Sequence, residues 1–191
     1  MKTVGYSETL FDIEDAIIHD AHTGFREDYL IIHSLLRKYK PKSLLEVGTN
    51  VGSGLNVIGN AIPEAKLYSL DLDYATMMQN SKQYPIGPNG EDRCGSAAKV
   101  PYTQLRGDSV QFDYSQNVCE AYFIDGEHDY EHPYIETIKI ADQCPRLIIW
   151  HDADIDCVFN AIKNAMSIPI NEKQYEVFRV NGTRIAYAVW K

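Results

Sequence analysis

"LLEVGTNVGSG", residues 44–54, decides the fold. It opens as an apolar strand carrying one acid, Glu46, turns through Gly48, Gly52 and Gly54, and continues into "LNVIGNAI" at helical spacing. A strand that enters a helix through a glycine turn brings backbone N–H groups close to a ligand. It also predicts a βαβ unit, the building block of a parallel sheet.

Working outward, further short apolar runs follow: "KLYSLDLD" (66–73), "YTQLRGD" (102–108), "AYFIDG" (121–126) and "RLIIWHD" (146–152). Helical patterns lie between them, near 53–62, 74–82, 109–116, 133–143 and 155–166, with Pro133 in a first turn where its missing N–H costs nothing. This alternation predicts an α/β, Rossmann-like, doubly wound and mostly parallel sheet of about seven strands. The chain finishes differently. "YEVFRV", Asn181-Gly182 and "TRIAYAVWK" predict an antiparallel C-terminal hairpin, with Asn-Gly supplying positive φ angles. Ahead of the first glycine turn, Phe25–Lys40 carries apolar residues at helical spacing until Pro41 and reads as a packing helix, with His33 a core or boundary histidine.

The 191 residues fit one domain, 1–191, with an acidic extension or cap over 1–24, containing a helical pattern around Phe11–His19, and a long Pro- and Gly-rich loop over 80–101. Hydrophobic residues at 45% and charged residues at 24% place the chain among ordinary globular proteins rather than disordered or fibrous ones. The net charge of -9 argues against nucleic acid as a partner, because phosphate affinity needs clustered Lys and Arg. No run approaches a membrane span, residues 1–10 lack a secretory pattern, and Cys94, Cys119, Cys144 and Cys157 form no Cys-x-x-Cys. The expectation is a cytoplasmic protein with free thiols, acting on a small molecule.

The glycine turn lacks the terminal Gly-Lys-Ser/Thr of a P-loop, and neither Gly48 nor Gly52 begins a Gly-x-Gly-x-x-Gly dinucleotide fingerprint. Glu46 would repel a diphosphate but suits ammonium and sulfonium charges, which points to S-adenosylmethionine. Asp71 ends the next strand about 20 residues on, where an acid takes both ribose hydroxyls. Asp108 and Ser109 in "RGDS" follow the next strand and are placed beside the adenine, with the Asp able to accept from its amino group; a helix cap is the alternative for Ser109.

"FIDGEHDYEH" (123–132) puts dense charge after a buried strand. Ligands of open α/β sheets bind at the carboxyl ends of the strands, so Asp125, Glu127, His128, His151 and Asp152 are expected to project toward one crevice. Asp129 and Glu131 read as acids favoured by a helix N-terminus.

With "EVGTNVGSG", "LDLD", "RGDS", "FIDGEHDY", "IIWHD" and the terminal hairpin in this order, the chain from about Phe25 to Lys191 resembles the class I S-adenosylmethionine-dependent methyltransferases. Its Glu-x-Gly-x-x-x-Gly form is similar to the small-molecule O-methyltransferase branch, both catechol-type and sugar-modifying. The resemblance implies cofactor contacts from Glu46, Gly48, Gly52, Gly54, Asp71, Asp108, Ser109 and Asp125. It implies a divalent cation at Asp125, His151 and Asp152, although His151 replaces a carboxylate and suits Mn²⁺, Fe²⁺ or Zn²⁺ better than Mg²⁺. His128 stands where the catechol-type enzymes have a basic catalytic residue, and Glu127 where the sugar-modifying type has an acidic one. The surrounding carboxylates should raise the pKa of His128, and a bound cation should offset them. The implied reaction is methyl transfer to a hydroxyl, or less favourably an amine, of a small molecule. Two other readings stand beside it: a nucleotide-cofactor oxidoreductase, disfavoured by Glu46 and the broken fingerprint, and a non-catalytic protein that keeps the fold.

Overall fold

Eight strands form one sheet in the order β1-β7-β8-β6-β5-β2-β3-β4. The structure is a computed structural model describing residues 1–5, 26–76, 86–168 and 175–190. The helical pattern around Phe11–His19 and the second half of the 74–82 helix lie outside the described residues. The strands are β1 (Lys2–Val4), β2 (Ser43–Val47), β3 (Lys66–Asp71), β4 (Thr103–Arg106), β5 (Ala121–Ile124), β6 (Leu147–Trp150), β7 (Tyr175–Val180) and β8 (Ala186–Trp190). Only β8 runs against its neighbours, pairing antiparallel with both β6 and β7. The chain leaves β2 toward β3 on one side and reaches β5 on the other, so a topological switch point opens at the carboxyl ends of β2 and β5.

Among the described residues four α-helices cover the sheet. Helix α1 (Arg26–Tyr39) begins with Glu27 and Asp28 and ends with Arg37 and Lys38, each sign matching the helix dipole. It stops at Lys40, whose φ is 45 and whose N–H donates to Leu36 O, just before Pro41. Helix α1 and α2 (Ser53–Ala61) pack Ile31, Ile32, Leu35, Leu36, Ile58 and Ala61 on Leu44, Phe123, Ile149 and Tyr187. Helices α3 (Glu131–Asp142) and α4 (Asp156–Ala165) pack Ile140, Ala141, Val158 and Ile162 against Leu45, Ile124, Ile148 and Ala188 on the other face. Alternation along each strand therefore feeds two cores. Strands β2, β5 and β6 are buried almost throughout, which is why they read as continuous apolar runs.

Three expectations are revised. Residues 109–116 form no α-helix: the Asp108 and Asp113 side chains accept from Val110 N and Ser115 N, and these local bonds leave only a 3-10 turn at Tyr114–Asn117. In the C-terminal connection Gly182 has the positive φ, 79, but Asn181 does not; its N–H donates to Val4 O, and Thr183 Oγ1 caps Val180 O. The edge strand β1, parallel to β7, adds an eighth strand to the seven expected.

Candidate functional site

The glycine turn is held in place by the strand ends beside it. Gly48 has a φ of 96, its N–H donates to Leu70 O, and a Cβ there would run into the backbone carbonyl of Asp125. The loops after β2 and β5 therefore touch directly. Asn50 N donates to Asp71 Oδ2 at 2.9 Å, tying the turn to the carboxyl end of β3, while Asp71 Oδ1 accepts from Leu72 N.

Glu46 lies beneath the turn. It is 2% exposed, accepts from Ser69 Oγ at 2.5 Å, and would stand 2.6 Å from a Cβ on Gly54. Ser69 Oγ lies 2.7 Å from Thr49 Oγ1, which also accepts from Gln104 Nε2. Burial pushes the Glu46 carboxyl well above its usual range, and Asp125 and Asp71 add to this against the Ser69 bond. Residues 93–99 close the far side of the turn: Gly95 N donates to Asn50 O, Ala97 N to Val51 O, and Asn56 holds both Ala97 O and Lys99 N. Gly52 sits against Gly95 and Ala98.

After β4, Asp108 accepts from Val110 N, and Ser109 Oγ donates to Glu136 Oε1 at 2.5 Å. Ser109 is thus tied to a side chain of α3 rather than capping a helix.

Across the crevice, acids and histidines converge. Asp125 Oδ1 is 3.3 Å and Asp152 Oδ2 2.8 Å from His151 Nδ1; His151 Nε2 faces Asp28 Oδ2 at 3.4 Å. Burial opposes charge on His151, but these three carboxylates push its pKa to about 11, so it is an imidazolium at neutral pH. The sequence expectation made His151 a metal ligand; both of its ring nitrogens are turned to carboxylates instead. The ligand atoms that lie within 4.8 Å of one another, among the described residues, belong to Asp125, His128 and Asp152. His128 Nε2 is 2.9 Å from Asp152 Oδ2, and that hydrogen bond, opposed by burial and aided by Asp125 and Glu127, raises its pKa. Asp152, whose φ is 52, also accepts from Arg184 Nη1 at 2.9 Å; burial works to raise its pKa, but His128 and His151 hold it well below the usual carboxylate range. Glu127 is exposed and accepts from His128 N. Asp129 binds His132 and not His128.

Sequence reasoning missed four contributors. Asp28 and Tyr29 come from the first turn of α1, where an acid reads as a dipole partner; burial and the charges of Asp125, Glu46 and Asp28 raise the Tyr29 hydroxyl to about 12. Arg184 comes from the connection before β8, and Glu136 from the buried side of α3. Only Glu136 left a signal, a carboxylate in line with the apolar positions of its helix.

No protein-family model matches this chain, and no curated protein matches its sequence. Solved structures do. The SAH-bound methyltransferase PaMTH1 of Podospora anserina aligns with a TM-score of 0.62 at 11% identity, over 97% of this chain and 92% of its own. An O-methyltransferase from Bacillus cereus in complex with SAH gives 0.58 at 13% identity, over 96% and 95%. MycE of the mycinamycin biosynthetic pathway, in complex with Mg, SAH and mycinamycin VI, gives 0.54 at 11% identity, over 82% of this chain and 47% of its own. At such identities the likeness is one of fold alone: the Rossmann-like, mostly parallel sheet with an antiparallel C-terminal pair that these methyltransferases share.

Proposed function

We propose that this protein transfers a methyl group from S-adenosylmethionine to a hydroxyl of a small molecule. The observation that carries this reading is the crevice at the switch point, with the glycine turn and Asp71 joined through Asn50 N on one side and Asp125, His128 and Asp152 converging on the other. The solved relatives with SAH or a magnesium ion support it. In this reading Gly48, Gly52 and Gly54 allow close backbone approach, Asp71 accepts from the ribose hydroxyls, Asp108 and Ser109 face the adenine, and Glu46 and Asp125 complement the cofactor's positive end. When bound there, the cofactor would supply an electrophilic sulfonium methyl for the acceptor oxygen, with the neutral thioether as the leaving group.

This chain's own groups handle the proton. His128, half exposed at the rim, takes it at Nδ1 when neutral, while Asp152 accepts from Nε2–H, orients the ring and stabilises the imidazolium that forms. Exposed Glu127 beside it is the second candidate base. A divalent cation fits Asp125, His128 and Asp152, because two carboxylates and an imidazole suit Mn²⁺ or Fe²⁺ better than Mg²⁺; with the ion bound, His128 would be a ligand and Glu127 would be left as the base. Such an ion would supply Lewis acidity, lowering the pKa of a bound hydroxyl. No helix among the described residues is long and apolar enough to cross a membrane, and all four cysteines are free, which supports a cytoplasmic setting.

Isothermal titration with S-adenosylhomocysteine tests the reading. Wild type should bind, and Asp71→Ala should weaken binding by about tenfold or more, as expected for lost bonds to two hydroxyls. Absence of binding to the wild type overturns it.

A further inference from the structure

Glu136 is a fully buried carboxyl group on α3. It sits in the first half of α3 with 0% exposure, beside the fully buried Thr137. Its Oε1 accepts from Ser109 Oγ at 2.5 Å, and its Oε2 is buried with no hydrogen-bond partner among the described residues. Native proteins rarely leave a buried carboxyl oxygen bare, and an apolar side chain would fill the same space without that cost. A Cβ on Gly126 would lie 3.6 Å from Oε1, so Glu136 stands directly behind the loop that carries Asp125, while Ser109 belongs to the loop after β4. The residue bridges the two loops that flank the crevice on the α3 side.

The bare oxygen limits what Ser109 can do. If the Ser109 hydroxyl turned its hydrogen elsewhere, the Glu136 carboxylate would lose its only hydrogen-bond donor among the described residues. The hydroxyl hydrogen is therefore committed inward, and half-buried Ser109 offers only lone pairs outward.

We propose that Glu136 sets the base specificity of the nucleoside pocket by fixing the direction of the Ser109 hydroxyl, so that the pocket accepts an exocyclic amine and rejects a carbonyl in the same place. The inference rests on the cofactor reading above. A site built to accept a hydrogen bond discriminates strongly, because the wrong base sets two acceptors against each other. Burial raises the Glu136 pKa to about 7, helped by Asp129 and Asp108 and opposed by the Ser109 bond and His132, so the carboxylate is ionised and accepts only at pH 8. Glu136 is a positioning residue, reaching the ligand through Ser109.

The test compares S-adenosylhomocysteine with S-inosylhomocysteine by titration at pH 8. Wild type should prefer the adenosyl ligand by about 100-fold. In Glu136→Gln an amide N–H can donate to Ser109 Oγ and turn the hydroxyl hydrogen outward, so the preference should fall about tenfold or more, chiefly by better inosyl binding. Ser109→Ala should lower the ratio too, and it keeps the test decisive if Glu136→Gln fails to fold. An unchanged ratio in Ser109→Ala, or in a folded Glu136→Gln, overturns the inference while leaving the cofactor reading intact. A wild type that binds neither ligand removes both.

Discussion

Asp28 and Arg184 close on each other through two parallel hydrogen bonds: the Arg184 backbone N donates to Asp28 Oδ1 at 2.9 Å and its Nε to Oδ2 at 3.1 Å. The same carboxylate faces His151, and the same guanidinium reaches Asp152, so four residues from α1, the loop after β6 and the connection before β8 form one charged lattice behind the crevice.

Asp28 is one of the carboxylates that both His151 and Arg184 face, and its loss weakens two buried ion pairs at once. Asp28→Asn should destabilise the protein by about 3 kcal/mol, the usual cost of breaking rather than replacing a buried pair. In urea this is a fall in midpoint of about 1 to 2 M at unchanged slope. A midpoint equal to wild type would show that the lattice contributes nothing net.

Gly48 and Gly182 both have positive φ, but a Cβ at Gly48 meets the Asp125 carbonyl whereas one at Gly182 meets nothing within 4 Å. Gly182→Ala should cost about 1 kcal/mol of left-handed strain, and Gly48→Ala several times more, because two loops must separate. Thermal melts of the two variants decide this; equal losses would mean the loops after β2 and β5 are not in contact.

Glu136 makes stability depend on pH. Its folded pKa of about 7 lies above the ordinary 4.5, so between these values the folded state holds a proton that the unfolded chain releases. The contribution of this group to stability therefore falls as pH rises from 4.5 to 7, by on the order of 3 kcal/mol in all. Glu136→Gln removes that slope. Urea midpoints at pH 5 and pH 8 for both proteins provide the check, and identical pH dependence would contradict it.

Manganese binding followed by electron paramagnetic resonance tests the cation site. Asp125→Ala and His128→Ala should each weaken binding by about tenfold or more, and a chelator should lower methyl transfer. A wild type that leaves Mn²⁺ free at millimolar concentration would empty the site of meaning.

Asn56 fastens residues 97–99 to α2 through Ala97 O and Lys99 N. Asn56→Ala should speed tryptic cleavage after Arg93 and Lys99 by about tenfold, since local opening sets the rate of such cuts. Unchanged digestion would show that Gly95 and Ala97 hold the segment by themselves.

The parts of this fold legible in the sequence are those written by burial. Strands β2, β5 and β6 are apolar because they are covered on both faces, and the acids at or just after their carboxyl ends stand out against those runs. Strand β1 was not legible, since three residues carry no period and its pairing with β7 is settled 170 or more positions away. The stretch 109–116 has helical spacing, but Asp108 and Asp113 offered the backbone better local bonds. In the site, His128 and Asp152 could be read from their neighbours, whereas Asp28 and Arg184 acquire meaning only in three dimensions. That both ring nitrogens of His151 face carboxylates was not legible, because sequence position cannot say which way a ring turns.

The placement of β8 between β6 and β7 also governs how the molecule can be made. Until β8 emerges from the ribosome, β6 presents an open hydrogen-bonding edge of "LIIW", and β7 has no place in the sheet. Arg184 arrives with that same strand. The crevice is therefore completed only once β8 has been made, and a chain interrupted before β8 would expose a sticky edge to its neighbours rather than a partly working site.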